Sequence, residues 1–440
     1  MYEVKKNKKG QWIVIAEGKK RASKVFDSKI EAIAYATKKS KDEGTTFRVE
    51  DSSVKSKNKL WIILVIILLI ALVVVVYLFA TGKLKLPLPE DEEKEPTVIV
   101  EGELSIHFLE LGNYYAGDSV YIKAGDTDIL IDAGSRASSS TTIHNYIKDY
   151  CKDGKLEYVI ATHAHEDHIS GFVGTKDNPG IFDLYECDVI IDYAFKNTTS
   201  QISKSYEEKR DSEVTLGAKH FTAKDCMEGA NGASSKYNLT ESINFEILDQ
   251  KYYYEKSSDE NNYSVCMMLN YGEYHFLFTG DLEKEGEESL VEKNNLPHCK
   301  VFKGGHHGSK TSSNEALLSK ITPEVVCVCC CAGSSEYTDN VDNMFPTQDF
   351  INRIAKYTNR VYVTTLAKYE IASKDGKEYP KVNGFESMNG NIVVTLDSDG
   401  NVVTTCSNND RILKETEWFS STIVLDGEER KMRTWPSDGK

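Results

Sequence analysis

From Leu60 to Ala80 the chain reads LWIILVIILLIALVVVVYLFA, 21 residues without a charged side chain. About 20 apolar residues in a helix cross the hydrocarbon layer of a bilayer, where every backbone polar group has to be satisfied within the segment. The run therefore reads as a single transmembrane helix. The competing reading, a buried helix of a soluble core, would keep a polar face over so many residues. A cleaved signal peptide does not fit either, because 59 residues precede the run. Trp61 and Tyr77, near its two ends, suit the two membrane interfaces.

Charge asymmetry orients such a segment. Lys55, Lys57 and Lys59 precede it, and the 59 leading residues hold 16 Lys and Arg against 8 Asp and Glu. Lys83 and Lys85 follow it, then the acidic EDEEKEP. Basic residues are retained on the cytoplasmic side, so the expectation is a single-pass protein of the cell membrane, anchored in the lipid bilayer. Its N-terminus would be cytoplasmic and its C-terminal part extracytoplasmic. Of the chain's 53 basic and 68 acidic residues, 37 and 60 fall after the leader, a balance of −23. That excess repels phosphate backbones at long range and excludes tight non-specific nucleic-acid binding unless a local basic patch offsets it.

All ten cysteines lie beyond the apolar run, four of them in CVCCC, Cys327 to Cys331. Alternation along a strand would put Cys327, Cys329 and Cys331 on one face. Free cysteine behaves as a small buried hydrophobe, so this cluster reads as a core strand rather than a metal site.

Residues 1–51 read as a small α+β domain. YEVKK, QWIVIAEG and TTFRVE have strand character, and between them a helix opens at Ser28 with Glu31 three residues on, carrying Ile30, Ile33 and Ala34 on one stripe. The layout resembles a small bacterial domain of unknown function, a likeness that implies no chemistry. A basic linker (52–59), the apolar run (60–80) and a charged, proline-bearing spacer (81–102) lead to a large α/β domain over 103–408, followed by a C-terminal extension, 409–440. In the large domain DSVYIKAGDTDILIDAG reads as two strands around a tight turn, TTIHNYIKDYC as an amphipathic helix, and LEYVIATHAHEDH as a buried strand running into a histidine cluster.

HAHEDH, His163 to His168, taken alone, is either a polar surface turn or a metal site. His163 and His165, two apart, can point toward one ion, and Asp167 with His168, where the chain turns into a helix, can serve a second. Imidazole nitrogen and carboxylate oxygen are the ligand set of zinc, manganese or ferrous iron. Other histidines have bland readings: His275 belongs to a strand face, His220 to an exposed insertion, and His107, His144 and His298 have no ligand-like neighbours. The aromatics of KYYYEK, Lys251 to Lys256, read as a strand edge rather than a base-stacking surface.

The cluster matches the HxHxDH motif of the metallo-β-lactamase superfamily at every ligand position, and three further pieces stand in that family's order. They are Asp132 in ILIDAG, Asp281 in FLFTGD, and His306 and His307 in GGHHGSKTSS. From about Glu103 to Asn408 the chain resembles this superfamily, and within it the hydrolase domain of ComEC-type competence proteins, on GDSVYIKAG, NNYSVCMMLNYGEYHFLFTGD and HHGSKTSS. The resemblance implies an αββα sandwich and two divalent metal ions, zinc or manganese, held by His163, His165, Asp167, His168, Asp281 and the late pair His306 and His307. Asp281 would bridge the ions and Asp132 would support the metal loop. It further implies a hydrolase of phosphodiesters, DNA among them, that attacks with metal-bound hydroxide. Asp167 would orient that hydroxide, and Ser309 and Lys310 would hold a phosphate oxygen. For Lys310 the alternative is a solvated surface lysine.

Two departures stand out. Many members carry a further histidine before the hairpin that leads to the bridging aspartate, where this chain has Asn261 and Asn262, and Phe345 stands where a Gly-His-Pro histidine is usual. Asp192, at the end of CDVIID, is the candidate replacement ligand for the first ion. Two other functions follow from these observations: a hydrolase of lactams, lactones or thioesters on the same fold, or a tethered binding module without turnover.

Overall fold

The central strands of the large unit are near-continuous apolar runs whose side chains alternate between faces, so each sheet has two faces to bury and needs a layer on both sides. The computed structural model describes residues 1–50 and 97–440. The expected transmembrane helix (60–80), the linker before it and most of the spacer after it lie outside the described residues. Among the described residues no helix is long and apolar enough to cross a membrane. The chain divides into two compact units, Met1–Lys94 and Glu95–Lys440.

In the first unit, strands β1 (Tyr2–Lys6), β2 (Trp12–Ala16), β3 (Lys24–Phe26) and β4 (Phe47–Val49) form one sheet in the order β3-β2-β1-β4, with helix α1 (Lys29–Asp42) beside it. Tyr2, Val4, Trp12, Val14, Ala32 and Ala36 make its core. The helix is rotated from the expected stripe: Ala32 and Ala36 are buried while Ile30 is 79% exposed. Ser28 occupies the N-cap without a side-chain hydrogen bond, so the expected capping box does not form.

The large unit has two eight-stranded sheets. The first is built from β5 (Leu104–Phe108), β6 (Val120–Ala124), β7 (Thr127–Ile131), β8 (Lys155–Ile160), β9 (Glu186–Asp192) and β10 (Lys219–Thr222). The second takes β11 (Lys236–Asn238), β12 (Ile243–Ile247), β13 (Met267–Tyr271), β14 (Tyr274–Phe278), β15 (Val301–Lys303), β16 (Val325–Ala332), β17 (Val361–Lys374) and β18 (Lys377–Ser387) in sequence order. The chain then returns to the first sheet, where β19 (Ile392–Leu396) and β20 (Val402–Cys406) add to β5. Helices α2 (Ser139–Ile147), α3 (Glu166–Val173) and α4 (Gln201–Leu216) flank the first sheet. Helices α5 (Lys284–Lys293), α6 (Glu315–Ile321) and α7 (Gln348–Ile354) flank the second.

Three apolar layers follow from the alternation. Ile129 and Ile131 of β7 meet Phe276 and Phe278 of β14 and Cys327 and Cys329 of β16 between the sheets. Leu130 points the other way, onto Ile143, Ile169, Phe172 and Tyr206 of the first helical layer. Leu277, Val326, Val328 and Cys330 pack on Leu290, Leu317, Leu318 and Phe350 of the second. The architecture is a four-layer αββα sandwich. CVCCC is a core strand, in which a register shift against β17 between Val328 and Cys331 takes Cys331 out of the cluster that holds Cys327 and Cys329. All ten cysteines are free thiols, and burial raises the pKa of the four in β16.

Residues 409–440, set apart on sequence as an extension, are part of this packing. Leu413, Trp418, Phe419, Ile423, Leu425 and Met432 join the outer core of the second sheet. Arg433 is 2% exposed, and its guanidinium donates to the carbonyls of Val341 (3.0 Å), Met344 and Pro346 (2.7 Å), pinning the loop after β16. Burial pushes its pKa down to about 10.

The segment carrying GGHHGSKTSS is held in a similar way. Glu287 of α5, fully buried, accepts from the backbone N–H groups of Ser313 (2.6 Å) and Asn314 (2.8 Å). Arg353 of α7 donates to the carbonyls of Lys310, Ser312 and Ser313. Glu287→Ala is expected to lower the unfolding free energy by about 2–4 kcal/mol in urea titrations, because each orphaned buried donor costs roughly 1–3 kcal/mol. A change within about 0.5 kcal/mol, the size usual for surface substitutions, would show that other contacts hold the segment.

Candidate metal centre

Four strand ends deliver the site. Beyond β7 comes Asp132, beyond β8 comes THAHEDH with His165 at the N-cap of α3, beyond β14 comes Thr279-Gly280-Asp281, and beyond β15 comes a turn over Gly305–Gly308. Asp132, His306 and His307 have positive φ of 56°, 46° and 52°. Non-glycine residues hold that conformation at a cost, and such residues cluster at functional sites. Gly280 also has positive φ, and a Cβ there would come within 2.8 Å of Thr162 Cβ, so the Asp281 turn and the THAHEDH strand end are in close contact.

The carboxylate of Asp132 organises the first group. It accepts from the Thr162 N–H (2.8 Å), the Thr162 hydroxyl (2.8 Å) and His168 Nδ1 (2.7 Å). With Nδ1 so engaged, His168 turns Nε2 to Asp281 Oδ2 at 3.1 Å. His307 is fixed in the same manner: Nδ1 lies 3.0 Å from the Cys329 carbonyl and 3.2 Å from Asp118, while Nε2 faces Asp167 and Asp281, each at 3.3 Å. Imidazoles held through one nitrogen and free at the other are the usual arrangement of metal-ligating histidine. His163 and His165 stand together, Nε2 to Nδ1 3.0 Å, and the His163 ring centroid lies 4.1 Å from that of His168.

One ligand atom from each of Asp167, His168, Asp281 and His307 falls within 4.8 Å of the others. His307 Nε2 and Asp281 Oδ1 are buried without a hydrogen-bond partner. Orphaned buried polar atoms are costly, and a nitrogen-and-carboxylate donor set satisfies zinc or manganese, so these residues fit a divalent ion. The electrostatics agree. Burial opposes the charge on Asp167 and Asp281, yet adjacent His307 and His168 hold both carboxyls well below their usual range. Burial likewise opposes protonation of His168 and His307, and the carboxylates around them outweigh it, raising both. At His163 burial and the neighbouring His168 outweigh the pull of Asp281 and Asp167, and its pKa is held well down. Neutral imidazole is the form that binds metal, so His168 and His307 would give up a proton in taking up an ion.

Residues 112–181, which contain Asp132 and HAHEDH, match the metallo-beta-lactamase superfamily. The match lies within the large unit and spans 70 of the chain's 440 residues. Residues 2–53 match DUF2188, described as an uncharacterized protein conserved in bacteria. The chain is 26% identical over 276 residues to competence protein ComA of Neisseria gonorrhoeae, covering 62% of this chain and 32% of that protein. It is 25% identical over 251 residues to ComE operon protein 3 of Bacillus subtilis, covering 53% and 29%. It thus spans about a third of the length of these relatives. Among solved structures, the metallo-beta-lactamase fold protein YhfI from Bacillus subtilis aligns with 60% of this chain and 97% of its own, at 11% identity and a TM-score of 0.35.

The large unit brings some of the expected residues together and disperses others. His306 borders the centre, with Nε2 3.7 Å from Asp281 and Nδ1 3.1 Å from the Thr311 hydroxyl. Asp192 does not replace the missing histidine. Its two oxygens are taken by His220 Nε2 (2.7 Å) and Arg210 (2.8 Å), which arrive from β10 and α4 and neutralise it where it stands. His220 is correspondingly a partner of Asp192 and not a free surface residue. Ser264, two residues past Asn262, is what touches this side of the centre: its hydroxyl lies 3.5 Å from His163 Nδ1 and accepts from the Asp281 N–H. Ser309 is buried on Thr311 (3.0 Å), and Lys310 extends to Asn343 (2.9 Å) and lines a different cavity.

Sequence reasoning passed over five residues here. Asp118 and Lys303 form a buried ion pair, with Lys303 also 3.7 Å from Asp281. Asp118 sits inside GDSVYIKAG and Lys303 immediately precedes GGHHGSKTSS, so both could have been singled out there. Arg136, Glu336 and Tyr337 line a cavity of about 480 Å³ with His165, Glu166, Asp167, His306 and Phe345. No local pattern marks these three.

Asp132→Asn is expected to weaken metal affinity about 10- to 100-fold in competition with a chromophoric chelator, as for other outer partners of ligating histidines. Lys310→Ala should leave the affinity unchanged. Asp192→Ala should also leave it unchanged while lowering stability by about 1–3 kcal/mol, because Arg210 and His220 lose their buried partner while Arg210 keeps its contact to Asp211.

Proposed function

We propose that this chain is a metal-dependent phosphodiesterase, with DNA as its substrate class, tethered to the cell membrane by the apolar run and acting on the extracytoplasmic side. The observation that carries the reading is the convergence of Asp167, His168, Asp281 and His307 beside an open cavity. The curated relatives, competence proteins, and the HHGSKTSS segment favour a phosphodiester over an acyl substrate.

A divalent ion held by these residues supplies Lewis-acid charge for phosphoryl oxygens and acidifies bound water. His163, His165, Asp167, His168, Asp281 and His307 are the side chains that would hold one ion or two. Asp167 is the group best placed to orient an attacking water, since it lines the cavity and its other contacts come from His307 and Tyr337. The Tyr337 hydroxyl donates to Asp167 Oδ2 at 2.8 Å, and burial raises its pKa, so it stays a proton donor at neutral pH. Such a donor suits a phosphoryl oxygen or a departing alkoxide. Asp132 acts through His168 and is a positioning residue.

The test uses the 440-residue chain in detergent with bis(p-nitrophenyl) phosphate, single-stranded and duplex DNA, and a chromogenic β-lactam. Phosphodiester turnover is expected, lost on chelation, restored by zinc or manganese, and reduced at least about 100-fold by Asp281→Ala. Lactam turnover without phosphodiester turnover would assign an acyl hydrolase, and stoichiometric metal without turnover of any substrate would leave a binding module. Topology has its own measurement: a membrane-impermeant maleimide should label Glu93→Cys in intact cells above the parent chain, and failure to label would reverse the orientation.

A further inference from the structure

Arg136 follows the ILIDAG strand end and borders the metal centre without belonging to it. Among the described residues lining the cavity it is the one cationic side chain other than histidine. Its guanidinium carbon lies 3.7 Å from the ring centroid of Tyr115. One terminal nitrogen donates to the Ser135 carbonyl at 2.6 Å and the other to Glu336 Oε1 at 3.2 Å. Glu336 is itself fixed, because Oε2 accepts from the Ala116 N–H at 2.7 Å. Glu166 lies 3.7 Å from the same guanidinium but is exposed and makes no hydrogen bond to it. A guanidinium carries five N–H groups, and these contacts use two. Stacking and the two bonds set the plane of the fork, while the side chain remains 33% exposed.

We infer that Arg136 is the residue that binds a non-bridging phosphate oxygen of the substrate, with Glu336 as an internal anion competing for the same guanidinium. The inference rests on the phosphodiesterase reading for its substrate and gives it a recognition element that Lys310, in another cavity, does not provide. A planar fork recognises a phosphate through two parallel bonds, and immobilising it beforehand reduces the ordering cost of binding. Apart from the metal centre, the rest of the cavity supplies no competing cation: Glu166, Glu336 and Asp167 bring carboxyl groups, burial raising the pKa of Glu336 to about 7, and His165 and His306 border the centre. A phosphate without Arg136 would face a predominantly negative wall. Glu336 then weakens substrate binding, since its charge is the alternative partner.

A purely structural Arg136 would only tie Glu336, and with it the loop after β16, to the domain. That role and phosphate recognition differ in sign. If the pair is structural, Arg136→Ala and Glu336→Gln both impair the enzyme. If Arg136 binds phosphate, Arg136→Ala raises KM for bis(p-nitrophenyl) phosphate at least about tenfold with kcat within about threefold, whereas Glu336→Gln lowers KM. Arg136→Lys, which keeps the charge and loses the fork, should fall between Arg136→Ala and the parent. Metal content and thermal midpoint are measured on every variant, so a misfolded protein is recognised as such.

Binding of inorganic phosphate to the metal-loaded 440-residue chain, followed by calorimetry, gives a readout independent of turnover. It should weaken at least about tenfold in Arg136→Ala and tighten in Glu336→Gln. Equal phosphate affinity in the parent chain, Arg136→Ala and Arg136→Lys overturns the inference. Parent chain that binds phosphate through Arg136 yet hydrolyses no phosphodiester would remove the proposed function and leave the anion site standing.

Discussion

The carboxylate of Asp281 is 1% exposed and lies 3.1 to 3.7 Å from His168, His307, His306 and Lys303. A carboxylate that deep costs several kcal/mol to desolvate, so the fold has to bring positive charge or a cation to it from every side. That requirement explains why four separated strand ends converge. β14 supplies the aspartate, β8 the first histidine group, β15 the late histidines and Lys303, and β7 the Asp132 that holds His168 in place. The two sheets can be packed by many apolar sequences, but the polar ends of these strands fit one another in one register.

Rigidity around the centre comes from buried polar groups aimed at backbone. Asp132 on Thr162, Glu287 on Ser313 and Asn314, and Arg353 on the carbonyls of Lys310, Ser312 and Ser313 all tie loop backbone to a helix or strand end. Loops that carry ligands are thereby given the stiffness of the elements that flank them, and the positive φ values of His306 and His307 are sustained by that surround.

Much of the centre was legible in the chain because its ligands sit at the ends of apolar strands, where a period-two pattern stops and a polar cluster begins. The core role of CVCCC was legible for the same reason, and the bulge that removes Cys331 from its face was not. Residues 251–253 form a short 3-10 turn with Tyr252 and Tyr253 buried, where a strand edge was expected, since tertiary packing decides the state of so short a segment. Partnerships across long separations left no local trace. Arg210 and His220 claim Asp192 through two later elements, and Arg136 meets Glu336 across 200 residues. Each is an ordinary polar residue in an unremarked stretch, and its role exists only once the sheets are assembled.

Arg433 holds the carbonyls of Val341, Met344 and Pro346, in the loop that also carries Glu336, Tyr337 and Phe345. Ribosomes release a chain from its N-terminus, so every strand end of the metal centre is available well before this arginine. The ligands can be gathered early, and Arg136, Ala116 and Asp167 are then at hand to hold Glu336 and Tyr337, but the carbonyls of Met344 and Pro346 gain their guanidinium partner only once Arg433 has been made. Vectorial synthesis therefore places the last fastening of the cavity's outer wall after every residue of its floor has been made.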